Sequence, residues 1–491
     1  MSAIRELLQQ IPDPGLSNSE RVRLRCKLAK QFEKTGNYEA ACRALGNVWP
    51  GIGKSPNLDT LDERTSGELL LRVGVLTGWI GSMRLIKGSQ ESAKSLIGES
   101  IPLFESLPDV KKVAEAQTEI GLCCAREGAL ERARVVYADA LARLDDNDGD
   151  LKALAVLRSA MVELMASRVN DALNILAPAA GLFESSNNDV LRGCFHNEFA
   201  KALKSAGIAE NRLDYMEYAL NEYSSASIYF EKAGHARYQG AVENNIALLL
   251  VQFKRFAAAH EHLDRAQALY TRLGDNAYLA GLEDTRARVF LAEENFAQAE
   301  KVAWTAIQMF ERSDEHRHLA ESLTTHGIAL ACQHRCERAR ASFERAIEIA
   351  QQAGDFEKAG RAALSLVEEL AEQLTQDELC GVLELARRCL GDTQHEELRK
   401  RLTDCAYRAL SMIHAARPDW SNFTLDGTLL RHEARFIQMA LEDSGGSVTK
   451  AAELLGLPGH QSLNFILNRR HPQLLASRTP VRPRRRSIMK K

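Results

Sequence analysis

Three stretches of the chain, aligned on one another, decide its fold: ALLLVQFKRFAAAHEHLDRA (residues 247–266), ARVFLAEENFAQAEKVAWTA (287–306) and GIALACQHRCERARASFERA (327–346). Each begins 40 residues after the one before. Small residues recur in each at offsets 0, +12 and +19: Ala247, Ala259 and Ala266; Ala287, Ala299 and Ala306; Gly327, Ala339 and Ala346. Working outward, Gly121, Ala133 and Ala140 repeat the register. Looser sets are Ala29, Ala41 and Val48; Gly81, Ala93 and Ser100; and Ala160, Ala172 and Ala179. Between Ala160 and Ala247 one repeat is stretched, with Ala219 and Ala226 keeping its second half in register. A fixed period of this length marks an array of stacked supersecondary units. The offsets have a packing reason: small residues let two backbones approach, +12 crosses into a second helix, and the next seven residues stay on one of its faces. Leu130, Phe256 and Phe296, nine positions after the leading small residue, fill the space between. Leu273-Gly-Asp and Ala353-Gly-Asp mark turns between units. Residues 48–66 have no repeat character, and 394–415 read as a final helix closing the stack.

Composition agrees. With 45% hydrophobic and 26% charged residues in 491, the chain is expected to fold. No apolar run approaches the ~20 residues of a membrane span, and the first residues lack a basic stretch followed by an apolar core. The expectation is a cytoplasmic protein, with its ten Cys reduced and packed as small apolar residues. The net charge of −3 is unevenly spread: thirteen Lys and Arg stand against six Asp and Glu from Arg417 onward, and no acid follows Glu453. An acidic body with a basic end is expected where only the end meets a polyanion.

The repeat register resembles the tetratricopeptide repeat family, in its ~40-residue variety, over roughly residues 20–390. The resemblance implies a superhelix whose concave groove binds a peptide or protein partner. Three positions before the leading small residue, it places Thr118, Asn197, Asn244, Asp284 and Thr324 on the groove face; an Asn amide both donates and accepts, and suits a peptide backbone.

Apparent chemical motifs weigh little. Gly53-Lys54-Ser55 resembles the end of a phosphate-binding loop, but Val48 stands where its first Gly belongs, and Pro56 where a helix should begin. Cys332 and Cys336, with His326 and His334, lack a second ligand pair at zinc spacing. His260 and His262 face different ways on a helix. No nucleophile-elbow, zinc-protease or catalytic-Cys signature occurs. Neither an enzyme nor a metal or other cofactor is expected.

The other informative stretch is ALEDSGGSVTKAAELLGLPGHQSLNFILNRR (residues 440–470). A helix is read from Thr428 to Asp443, with Leu429, Leu430, Phe436, Ile437 and Ala440 as its apolar face, ended by Gly445 and Gly446. Ser447 caps a short helix holding Val448, Ala451, Ala452, Leu454 and Leu455; Gly456 turns the chain; a third helix runs to Asn468 or Arg469, packed through Leu463, Phe465, Ile466 and Leu467. The Gly pair, Ala-Ala, Leu-Leu-Gly and the Leu after the turn resemble the Fis-type helix-turn-helix of bacterial regulators. The stretch from Gly456 to Leu463 is one residue longer than usual. The resemblance implies binding of double-stranded DNA, with the third helix in the major groove, and dimerisation through the preceding helix. His460, Gln461 and Asn464 are the base-reading candidates; Gln and Asn can bond adenine bidentately. Thr449, Lys450, Arg469 and Arg470 fall near phosphates, as do Arg484, Arg485 and Arg486 in the basic tail.

The sequence thus predicts an all-α protein: a repeat superhelix over 1–415, a linker over 416–424, a helix-turn-helix over 425–475 and a basic tail over 476–491. It reads as a DNA-binding transcriptional regulator of bacterial type; the alternative is an interaction scaffold without DNA binding.

Overall fold

In the computed structural model the described residues are 2–84, 86–313, 316–391, 393, 395–415 and 424–478. They contain helices and turns and no strand. The chain divides into two compact units, Met1–Ala409 and Leu410–Lys491.

The first unit is a stack of antiparallel helical hairpins. A short helix, Ser2–Gln10, precedes the first hairpin, Asn18–Lys34 with Tyr38–Leu45. Glu63–Met83 with Ser89–Ser106 follows, then Val110–Arg126 with Leu130–Ala142, and Gly149–Met165 with Val169–Glu184. The stretched repeat is built from two long helices, Asp189–Ala209 and Leu213–Lys232. Ala236–Gln252 with Phe256–Leu273, Asn276–Ala292 with Phe296–Ser313, and His316–Ala331 with Cys336–Gln352 carry the three quoted stretches. Phe356–Leu370 with Gln376–Leu390 follow, and the helix Glu396–Ala415 runs on past Ala409, where the first unit ends. The segment without repeat character is shorter than 48–66: Asp62 accepts from the Thr65 amide at 2.8 Å and starts the next helix at Glu63. Trp49 anchors the rest, buried, its indole N–H donating to the Lys54 carbonyl at 3.0 Å.

The small residues are sockets. Ala29, Ala160, Ala200, Ala247 and Ala287 are fully buried. A Cβ on Gly121 would stand 2.7 Å from the Tyr137 ring, and one on Gly327 2.8 Å from Phe343. Both rings lie four residues after the second small residue of their repeat, so each drops onto the facing backbone of its own hairpin. Phe230 against Gly193 and Tyr270 against Gly240 form a second socket, each 2.7 Å from the missing Cβ.

The turn inside most hairpins follows one rule. Seven residues after the leading small residue the backbone is left-handed: Gly36 and Gly128, but also Ser167 (φ 58), Lys254 (φ 54), Glu294 (φ 61) and His334 (φ 60). At Lys254 the amide donates to Val251 at 2.9 Å and the Arg255 amide to Leu250 at 3.0 Å; His334 and Arg335 pair with Ala331 and Leu330 in the same way. These bonds close the last carbonyls of the first helix. A side chain in this conformation costs roughly 1–2 kcal/mol, part of which Gly returns through its freer unfolded state. The triple change Lys254→Gly, Glu294→Gly and His334→Gly is expected to add about 1–2 kcal/mol in urea unfolding. A triple variant no more stable than the parent refutes that cost.

Two contacts join parts of the stack far apart in sequence. The Gly36 turn meets His235, whose Nε2 would lie 2.8 Å from a Cβ at Gly36. Ser167 Oγ lies 3.2 Å from His395 Nδ1.

The second unit packs Ile437, Ala440 and Leu441 of the helix Leu425–Asp443 against Ala451 and Ala452 of Val448–Leu454 and Leu463 and Leu467 of His460–Arg469. Gly445 and Gly446 are both left-handed, with φ of 60° and 80°, and the Gly446 amide reaches the Leu441 carbonyl at 2.7 Å. Gly456, at φ 64, makes the second turn and lets the Leu457 amide reach the Ala452 carbonyl. A further turn, Pro472–Ser477, adds Leu474 to the core. The linker expected over 416–424 falls almost wholly outside the described residues.

Candidate nucleic-acid interface and groove cavity

On the helix His460–Arg469, Leu463 and Leu467 face the core, so the opposite side carries Gln461, Phe465 and Asn468. His460 and Gln461 are exposed; Asn464 is half-buried at the flank. Thr449 and Lys450 are exposed in the first turn of the short helix. Arg469 lies with its guanidinium carbon 5.2 Å from the Phe465 ring centre. Arg470 is turned back: it pairs with Glu433 of the long helix at 3.0 Å, and Glu433 also takes His471 Nε2 at 2.9 Å. Arg484, Arg485 and Arg486 lie outside the described residues.

One expectation narrows and one changes. Asn464 Oδ1 accepts from Arg478 at 2.8 Å, which takes one of the oxygen's two lone pairs, so bidentate reading of adenine would share that oxygen with Arg478. Phe465 is 59% exposed instead of packing the core, because positions 463 and 467 already turn the other face inward. Leu429, Phe436 and Leu454 are likewise exposed. The long helix therefore carries a second apolar face, Leu425, Leu429, Phe436 and Met439, away from the core residues Ile437 and Ala440.

In the first unit, helices of successive hairpins enclose a cavity of about 630 Å³. Its inward stripe sits at offsets −6, −2 and +1 from the leading small residue: Glu115, Glu119 and Leu122; Leu154, Arg158 and Met161; Cys194, Glu198 and Lys201. These three- and four-residue steps keep to one helix face. The groove reading at −3 points about one residue to the side. Of the five residues expected there, Asn197 lines the cavity; Thr118, Asn244, Asp284 and Thr324 do not. Thr118 is fully buried, its hydroxyl bound to the Ala114 carbonyl at 2.7 Å. Thr324 bonds Ala320 in the same way. Burial pushes the Asp284 carboxyl above its ordinary range, and Asn244 Oδ1 is enclosed without a hydrogen bond.

One wall of the cavity is ionic. Arg72 lies between Glu33 and Glu115, the latter at 2.8 Å; Lys30 meets Glu115 at 2.7 Å. Arg158 pairs with Glu119 at 2.9 Å, and Lys201 with Glu198 at 2.7 Å. Asn197 donates to Glu198 at 2.8 Å and accepts from Asn245. One end is aromatic: Tyr38 stacks on Trp79 at 5.0 Å, and His235 on Tyr238 at 3.9 Å. Burial lowers the His235 pKa to about 4, so the ring is neutral at pH 7, and it caps the helix Ala236–Gln252 through the Tyr238 amide. Arg126, on the same inward stripe, lies 3.9 Å over the Trp79 ring, and its pKa is lowered by burial and by Arg158. Among the described residues no three His, Cys, Asp or Glu side chains converge to hold a metal, and no helix is long and apolar enough to cross a membrane.

No curated protein matches the chain. Among solved structures it is similar to a signal-transduction ATPase with a tetratricopeptide repeat sensor from Pyrococcus horikoshii: 14% identity, TM-score 0.47, 74% of this chain and 57% of that one. It is similar to yeast Tom70: 12%, TM-score 0.42, 84% of each chain. It is also similar to NprR in complex with its cognate peptide NprX: 11%, TM-score 0.40, 72% of this chain and 98% of that one. Residues 429–458 match the family model of the bacterial regulatory protein, Fis family. That match stops at Pro458, before the helix His460–Arg469 and where the sequence runs one residue long. The described residues thus form an all-helical stack of antiparallel hairpins and a small helical unit, of which residues 429–458 match the Fis-family model.

Proposed function

We propose that the protein is a DNA-binding transcriptional regulator, not an enzyme, whose repeat superhelix receives a peptide or protein partner. The observation that carries the DNA reading is the third helix of the second unit: two leucines anchor it, its outer side offers Gln461 and Asn468 beside Arg469, and exposed His460 and half-buried Asn464 stand at its flank. Lys450 and the basic tail supply phosphate contacts. The cavity supports the partner reading, because it combines an aromatic end, an aliphatic wall and fixed charges, the mixture that orients a bound segment. The second apolar face of Leu425–Asp443 supports dimerisation, since a lone exposed stripe of that size invites a second copy.

The test is selection of duplexes from a random-sequence pool by the full chain, followed by titration at several salt concentrations. A recurrent motif is expected. Removing residues 479–491, which leaves the Arg478–Asn464 contact in place, deletes six basic residues and no acid. It should weaken binding to all sequences alike and reduce the slope of log affinity against log salt by at most about 5 units, at about 0.9 per phosphate contact. A slope unchanged by the deletion makes the tail a passive extension. No affinity for any duplex at low salt would leave the scaffold reading in place.

A further inference from the structure

Phe465 has no role in the packing of its own unit. The core of the second unit closes around Leu463 and Leu467, with Ile466 against it, and Phe465 is not part of that cluster. Its ring is 59% exposed on the side of the helix that Gln461 and Asn468 share. It is the exposed large apolar residue of that helix; its neighbours there are polar or basic. A protein-docking patch would be contiguous and apolar. This face is polar with a single ring in it, held beside the Arg469 guanidinium.

The major groove has the same character. Its base edges present hydrogen-bond donors and acceptors throughout, and one apolar group, the thymine 5-methyl, beside the thymine O4 acceptor. The residue next to Phe465 matches that neighbour: Asn464, its oxygen shared with Arg478, has N–H donors to offer. We propose that Phe465 is a specificity-determining residue that packs against a thymine 5-methyl in the bound DNA, with Asn464 as the adjoining donor. The inference rests on the DNA-binding reading and adds to it which base is read and by which side chain.

The experiment uses the full chain and the duplex it selects from a random pool. Each thymine is replaced in turn by uracil, which removes the methyl and nothing else. For the parent protein, one or two positions should lose about fourfold in affinity, the factor expected for one buried methyl-sized group. Phe465→Ala should bind the thymine and uracil duplexes equally, and Phe465→Leu should restore part of the difference. Because the ring is exposed, the Ala variant should melt at the parent temperature, which circular dichroism checks. The inference is overturned if no thymine is sensitive, or if Phe465→Ala keeps the same sensitivity. It is also overturned if that variant changes the oligomeric state while the uracil effect persists, which would make the ring a protein contact. If no duplex is selected at all, the DNA-binding reading has failed and this inference falls with it, a result distinct from a selected site indifferent to uracil.

Discussion

Arg72→Met is expected to cost about 3–5 kcal/mol of stability, the range for breaking a buried ion pair from one side. Arg72 is 3% exposed and bridges the first three hairpins, since Glu33, Arg72 and Glu115 belong to successive first helices. Burial alone would raise the Glu115 carboxyl; Arg72, Lys30 and Lys112 overcome it and hold that carboxyl far below its ordinary range. Glu33 is in the opposite position: burial outweighs Arg72, and its carboxyl lies above the ordinary range. Without the guanidinium Glu115 keeps two lysines, and Glu33 loses its closest counter-charge. The Glu33 carboxyl should then rise further. A group with a folded pKa above its unfolded value stabilises the fold when protonated, so the deficit should shrink as pH falls from 7.5 towards 5. Urea unfolding at both pH values checks this. A deficit that is equal at both, or below about 1 kcal/mol, would mean that water or a rearranged lysine already compensates Glu33.

Phe343→Ala should be comparably damaging, at about 3–5 kcal/mol for an aromatic removed from a close-packed core. The ring is fully buried and lies over Gly327, where a Cβ would approach to 2.8 Å. The reverse fault, Gly327→Val, overpacks the same socket and should cost about 1–3 kcal/mol. Residues in direct contact do not behave additively. The double variant should be less destabilised than the two single changes together, because the valine occupies part of the space the ring vacates. Thermal unfolding of the four proteins measures the coupling. Strict additivity would show that the two positions do not share a socket in solution.

The repeat body was legible in the sequence because its sockets leave a chemical trace: a site where only a small residue fits stays small in every unit, at Ala247, Ala287 and Gly327 alike. The left-handed turn seven residues later left an uneven one, with Gly in some units only, at 36 and 128. Lys254, Glu294 and His334 occupy it despite their side chains, so composition does not mark it throughout. The cavity stripe lies one residue from the expected groove position, though Asn197 reaches it from there, and one residue on a helix is about 100°. Offset −3 holds Thr118 and Asp284, polar residues that in fact face neighbouring helices. Offset −2 holds Glu119, Arg158 and Glu198, which are charged, line the cavity and look in sequence like solvated surface. Phe465 was placed inside because aromatic residues near a leucine pair usually are, and only the packing of Leu463 and Leu467 shows that the inner face is already full. The contact of Arg478 with Asn464 has no local signal, since the turn at Pro472–Ser477 carries the chain back to it.

The contacts between Gly36 and His235 and between Ser167 and His395 should also bear on how the first unit answers to tension. In a stack where each hairpin touches only its neighbours, stability is close to a sum of local terms, so hairpins can open one at a time. Here a pull on the two ends of the stack first meets junctions between residues far apart along the chain. Extension is held back until they part, and then the intervening hairpins are free to lengthen together. The unit should therefore act less as a soft spring than as a latched one, stiff at small displacement and compliant once released.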